Sequence, residues 1–212
     1  MRSTLPKVLH PLAGKPMVRR VLDVADALAA TQTCVVVSPN AQSQISAACG
    51  SAYHYVPQHE RRGTAHALMQ ALPVLTATDG HVIVLFGDTP LIRTDTIAQL
   101  LSDVTTHHAT LGLVSFAVPA PHNYGRIVRN EAGDVIAIVE AKNCTPAQAQ
   151  IREANSGIMI IDTMWLRGAL PRITPDSVSN EFYLTDLVAL AVAESGPGTV
   201  RAVSVADISE AW

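Results

Sequence analysis

Several things are scarce in this 212-residue sequence, and each scarcity excludes something. Aromatic residues make up 4% of it, so a core must be built from Val, Ile, Leu and Ala. Charged residues make up 16% and the formal net charge is -3. No basic face stands out, which argues against a sequence-independent nucleic-acid binder. The three cysteines, Cys34, Cys49 and Cys144, are widely spaced and form no Cys-x-x-Cys. That pattern reads as reduced thiols in a cytosol, not a disulfide frame. No apolar run reaches the roughly 18 residues that cross a bilayer, and no basic-then-apolar leader opens the chain. A soluble, cytoplasmic protein without a membrane partner is expected. The eight histidines are scattered, and His107 and His108 are adjacent, so no metal-ligand spacing emerges.

What is present is an ordinary globular composition, 48% hydrophobic. A chain of this length buries about 70% of its unfolded surface, enough to fold without a staple. Neither repeat nor linker divides it, so residues 1–212 read as one domain. Short β-branched runs alternate with helical patterns, which predicts an α/β sheet with crossover helices. Pro16 opens a helix with an apolar stripe at Val18, Val21, Leu22, Val24, Ala25 and Leu28. The run Cys34–Val37 is apolar throughout and predicts a strand covered on both faces. Asn40 caps and Gly50 ends a short helix, and Tyr53–Val56 forms a strand. Thr64 caps a helix to Ala71. The strongest strand, His81–Phe86, is expected to be central. Thr94 caps a helix to Thr106. The second half is strand-rich, with a hairpin turn at Asn130–Gly133, a helix over Leu184–Glu194 and a last strand over Val200–Val205.

Four groups of residues carry chemistry. Lys7 follows Pro6 in an apolar stretch; it is either a point charge for a triphosphate or a surface lysine whose stem packs on the sheet. Gln58 offers a donor and an acceptor suited to a pyrimidine edge, and Gly63-Thr64 opens a helix where a base could approach closely. Taken alone, these read equally well as a turn and a cap. Gly87-Asp88 follows the strongest strand, and ligands of open α/β sheets sit beyond strand carboxyl ends. A carboxylate there suits a hard cation bridging phosphates. Gly125, Glu140 and Asn155 are separated polar points able to bond sugar hydroxyls or an acyl group, though each is by itself an ordinary loop residue.

In order, LPKVLHPLAGKPM at 5–17, Gln58 to His66, LFGDTPLI at 85–92, YGRIVR at 124–129, IVEAKN at 138–143, EANSGIMI at 153–160 and NEFYLTDLVALA at 180–191 resemble one family. It is the pyrophosphorylase domain of bacterial bifunctional N-acetylglucosamine-1-phosphate uridylyltransferases. The resemblance implies a Rossmann-like nucleotidyltransferase fold, with a mixed, mostly parallel sheet, helices on both faces and a β-rich sugar-binding subregion. It implies UTP, N-acetylglucosamine 1-phosphate and UDP-N-acetylglucosamine as ligands, Mg2+ as cofactor, and a cytoplasmic step supplying peptidoglycan. Lys7 then matches a phosphate contact and Asp88 the magnesium ligand, both catalytic. Gln58, Gly63 and Thr64 match uracil contacts. Phe86 and Gly87 belong to the family's Y-G-D segment, with Phe for Tyr. Gly125, Glu140 and Asn155 match contacts to the N-acetylglucosaminyl part. Arg61-Arg62 and Asn143 depart from the family pattern.

The same resemblance implies a strand and glycine-rich phosphate loop ahead of Met1, and a second metal ligand after Trp212. Without them, low activity is expected. Another sugar-1-phosphate nucleotidyltransferase and a non-catalytic sugar-nucleotide-binding fragment are the alternatives. A homo-oligomer is among the expected states.

Overall fold

The computed structural model describes residues 5–120 and 122–211. Met1 and Trp212, where the resemblance runs up to motifs beyond this chain, lie outside the described residues. In chain order the elements begin with the two-stranded hairpin β1 (Pro11–Leu12) and β2 (Lys15–Pro16). Then follow α1 (Met17–Ala27), β3 (Cys34–Val37), α2 (Pro39–Cys49), β4 (His54–Pro57), α3 (Thr64–Ala71) and β5 (His81–Val84). After α4 (Thr94–Thr106) come β6 (Leu111–Ala117), β7 (Arg126–Arg129), β8 (Val135–Val139) and β9 (Glu153–Asp162). The chain ends with α5 (Thr163–Ala169), α6 (Asp186–Ser195) and β10 (Val200–Val205).

The main sheet runs β10-β6-β9-β7-β8, with β5 added along β9. It is mixed, as expected, but among the described residues only β6–β10 and β3–β4 pair in parallel. The shortfall in parallel pairing comes from β9, which lies antiparallel to β5, β6 and β7 at once. Alternation along β9 builds both layers. Met159 and Ile161 pack with Leu166 of α5 and Leu187, Val188 and Ala191 of α6. Ile158 and Ile160 pack with Ile97, Leu100 and Val104 of α4. Gly112 on β6 lets α4 settle onto the sheet, since a Cβ there would overlap Val104 and Leu100.

Three local expectations change. Thr64 is the first helical residue of α3 and caps nothing; Gly63, at φ 96°, precedes it. Asn40 lies inside α2, whose cap position is Ser38. Among the described residues the run His81–Phe86 is not central: β5 stops at Val84 and pairs with β9 alone. The buried centre is β6 and β9 instead. The apolar character of β5 is used on its faces, because Val82 and Val84 meet the α5–α6 layer while Ile83, Leu85 and Phe86 meet the α4 layer.

β3 forms a separate two-stranded sheet with β4. Between β3 and β5 lies a cavity of about 560 Å³, lined by every residue of both strands.

Candidate active site at the end of β5

The Gly87-Asp88 turn is closed by Thr89, whose amide and hydroxyl both donate to the Phe86 carbonyl at 3.1 and 2.8 Å. Gly87 has no side chain to hold the turn away; a Cβ would stand 3.3 Å from the Val8 side chain. That close approach brings Lys7, one residue before Val8, to Asp88. Lys7 Nζ donates to Asp88 Oδ2 at 2.6 Å, with the two side chains 62% and 37% exposed. An ion pair this open contributes about 0.2–1 kcal/mol, so both groups are available to a ligand at small cost.

The Phe86 ring continues the contact toward the second half of the chain. Gly157, at φ +89°, lies over it, and a Cβ there would come within 2.7 Å of the ring. The Gly157 amide donates to Asn155 Oδ1 at 3.0 Å, and the Asn155 amide donates to the Gly125 carbonyl at 2.9 Å. A Cβ on Gly125 would stand 3.7 Å from Glu140 Oε1 and from Asn155 Cβ. Gly125, Glu140 and Asn155 are therefore one cluster, although 30 residues separate the first from the last in sequence. Arg126, almost wholly buried, holds the Gly125 loop by donating to the carbonyls of Tyr124 at 2.6 Å and of His122.

Gln58 leaves β4 and folds back onto the start of α3. Its Nε2 donates to the Gly63 carbonyl at 3.3 Å and to His66 Nδ1 at 2.9 Å. With the amide nitrogen occupied, its carbonyl oxygen is the group left to meet a ligand. Thr64 Oγ1 accepts from the Leu184 amide at 3.0 Å. Among the described residues no hydrogen bond joins Gln58 to the Lys7–Asp88 pair. Those two groups are related through Val8, Thr64, Phe86 and Gly87, which border the same cavity.

Residues the sequence reading did not single out tie these parts together. Phe182 donates its amide to the Arg62 carbonyl at 2.8 Å and accepts from the Ala65 amide at 3.0 Å. Its ring lies 4.9 Å from the Arg62 guanidinium and 6.1 Å from the His66 ring centre. Thr185, three residues on, donates to Glu140 Oε1 at 3.0 Å. One strap thus joins the Gln58 side to the Glu140 side. Beside it, a cavity of about 210 Å³ is bordered by Glu140, Asn143, Asp176, Tyr183 and Asp186. Burial pushes the Asp186 carboxyl up, helped by the nearby Glu140 and Asp176 charges. Asp176 is held well below the usual range by the Ser179 amide and hydroxyl. The mixed polar and aromatic block 180–185 was the available signal for this strap, but without chain contacts it reads as a helix lead-in.

Among the described residues no group of three or more His, Cys, Asp or Glu could hold a metal. Asp88 offers one carboxylate.

The family model for the MobA-like NTP transferase domain matches residues 1–156. A protein named Bifunctional protein GlmU from Marinobacter nauticus is 43% identical over 192 residues, covering 91% of this chain and 42% of that protein. Its namesake from Pseudomonas aeruginosa is 44% identical over 194 residues, 92% of this chain and 42% of the other. That from Cupriavidus necator is 42% identical over 202 residues, 95% and 44%. The chain thus spans less than half the length of these relatives. A Bacillus anthracis crystal structure described as a glucose-1-phosphate thymidylyltransferase matches with a TM-score of 0.77 at 18% identity, over 95% of this chain and 79% of that one. That likeness establishes the nucleotidyltransferase α/β fold. No helix among the described residues is long and apolar enough to cross a membrane.

Proposed function

The chain belongs to the MobA-like NTP transferase family, and on that basis we propose that its site transfers UMP from UTP to N-acetylglucosamine 1-phosphate. A phosphate oxygen of the sugar phosphate attacks the α-phosphorus of UTP. The new oxygen–phosphorus bond forms as the bond to the β-phosphate bridge breaks, and pyrophosphate leaves. The nucleophile is already anionic, so no protein nucleophile or base is required; positioning and charge neutralisation carry the rate.

The observation that carries this reading is the 2.6 Å Lys7–Asp88 pair at the end of β5, joined by contact through Phe86 and Gly157 to Asn155, Gly125 and Glu140. Lys7 exchanges its carboxylate partner for the triphosphate. Asp88 would hold a divalent cation, of which Mg2+ is the proposed identity. A single carboxylate suits such an ion, which takes its remaining ligands from phosphates and water. Bound, it would neutralise charge on the phosphates. Gln58 presents its carbonyl oxygen to the imide N–H of uracil, beside Gly63 and Thr64. Glu140 accepts from a sugar hydroxyl, and Gly125 and Asn155 meet the acyl group and ring.

Pyrophosphate release by the purified chain, with four nucleoside triphosphates against two sugar phosphates, tests this. UTP with N-acetylglucosamine 1-phosphate should give the highest rate, and Asp88→Asn should remove it. A rate unchanged in Asp88→Asn, or preference for another base, would overturn the reading.

A further inference from the structure

Arg126 is 2% exposed, yet among the described residues no carboxylate pairs with its guanidinium. Its Nη1 donates to the Tyr124 carbonyl at 2.6 Å and its Nη2 to the His122 carbonyl, while its buried Nε has no partner. Burying a cation without a counter-charge is costly, and a neutral amide side chain could pin a loop at smaller cost. The Tyr124 carbonyl belongs to the same planar trans peptide as the Gly125 N–H, and the two point in opposite directions. Holding the carbonyl on Arg126 therefore turns the Gly125 N–H away from the guanidinium. Among the described residues no hydrogen bond takes up that N–H, although the Gly125 carbonyl accepts from the Asn155 amide at 2.9 Å. Gly125 itself stands against the sugar cluster: a Cβ there would be 2.9 Å from Ile138 Cγ2 and 3.7 Å from Glu140 Oε1. The loop has little other freedom. His122 Nε2 donates to the Ile151 carbonyl at 3.0 Å, and the Tyr124 ring meets Phe116 edge-on with 5.0 Å between centres.

We infer that Arg126 is a positioning residue for acyl recognition: through the Tyr124–Gly125 peptide it aims and strengthens the N–H that donates to the acyl oxygen of an N-acylated sugar nucleotide. The inference rests on the uridylyl-transfer reading, which sets Gly125 beside the acyl group. Aim comes from the planarity of the peptide. Strength comes from polarisation, because a cation on the carbonyl oxygen draws electron density through the amide and makes its N–H a better donor, by roughly 10–30% per bond in a hydrogen-bonded chain. A guanidinium suits the task better than an ammonium, since its rigid fork meets the two carbonyls of residues 122 and 124 together. The effect falls on the choice among sugars, not on the base or the phosphates.

Calorimetry on the full chain with Mg2+ tests this by comparing UDP-N-acetylglucosamine with UDP-glucose, which carries a hydroxyl in place of the acylamino group. Arg126→Met should cut the preference for the acylated ligand on the order of tenfold, the worth of one hydrogen bond. Arg126→Lys keeps the charge without the fork and should lose part of that preference. In the unsubstituted chain, where no variant has to fold, the Gly125 amide proton and the Arg126 Nη protons should shift together with UDP-N-acetylglucosamine and not with UDP-glucose. Equal loss of affinity for both ligands in a folded variant would overturn the inference, leaving Arg126 a plain loop anchor. So would Gly125 and Arg126 signals that ignore the acyl group. An unsubstituted chain that binds neither ligand would instead overturn the uridylyl-transfer reading, and this inference with it.

Discussion

Replacing Gly63 by alanine separates backbone strain from collision. Gly63 sits at φ +96° and ψ 179°, a region essentially reserved for glycine, so any side chain costs about 1–3 kcal/mol. A Cβ there would also stand 2.5 Å from the Phe182 carbonyl oxygen and 2.9 Å from its nitrogen. Reaching ordinary contact at 3.4 Å moves that oxygen by 3.4 minus 2.5, or 0.9 Å. The strap is then lifted off α3, and its bonds to Ala65 and Arg62 stretch. Each such bond is worth about 0.5–1.5 kcal/mol, giving roughly 2–6 kcal/mol with the strain. Gly133 is the control: it has φ +87° and no heavy atom within 4 Å of a Cβ, so alanine there meets backbone strain alone, about 1–2 kcal/mol. Urea unfolding of both variants, followed by circular dichroism, gives the comparison. If Gly63→Ala loses no more than Gly133→Ala, the collision with Phe182 is not real and the strap does not depend on that glycine.

Lys7→Ala should lower stability by less than about 1 kcal/mol, because its ion pair is exposed. Pyrophosphate release should fall about 100- to 1,000-fold, and a parallel loss of both would refute a phosphate role. Burial raises the Glu153 carboxyl, but the Arg129 guanidinium and Ser115 hydroxyl outweigh it and hold the group below its ordinary 4.5. The stability it contributes is therefore complete above 4.5 and lost as pH falls below that value. Glu153→Gln should flatten the acid limb of a stability–pH curve, and an unchanged limb would exclude the pair. Burial pushes His122 below 6.5; its Nε2 donates to the Ile151 carbonyl and its Nδ1 accepts from the Tyr124 amide. A depressed histidine contributes stability above 6.5 that is lost at lower pH, so the protection factors of the Gly125 loop amides, corrected for their intrinsic exchange rates, should fall on acidification, and His122→Gln should blunt that dependence.

Local patterning made most elements legible. The stripe beginning at Val18 gives α1, and the apolar run of β10 matches its ends at Val200 and Val205. α5 escaped, because its seven residues carry no clear period and its cap, Asp162 accepting from the Trp165 amide, closes a strand as well as opening a helix. The position of β5 was misjudged for a physical reason: a continuous apolar run reports that both faces are covered and says nothing about whether both edges are paired. The site residues are visible as isolated polar points, and family resemblance groups them. Their mutual arrangement is not, since the Gly125–Glu140–Asn155 contacts depend on how β7, β8 and β9 lie together.

β9 holds Asn155 near its start, and its residue Met159 pairs with Val84 at the end of β5. On β6, Asn155 and Met159 lie opposite Ser115 and Leu113, because β9 bulges at Gly157, so they are two strand steps apart and make a yardstick of about 7 Å. The sugar end and the phosphate end of the cleft are gauged along one continuous backbone, so the separation between them is set when the sheet forms. Closure of a loop over the cleft could change what enters, but not the span it must bridge.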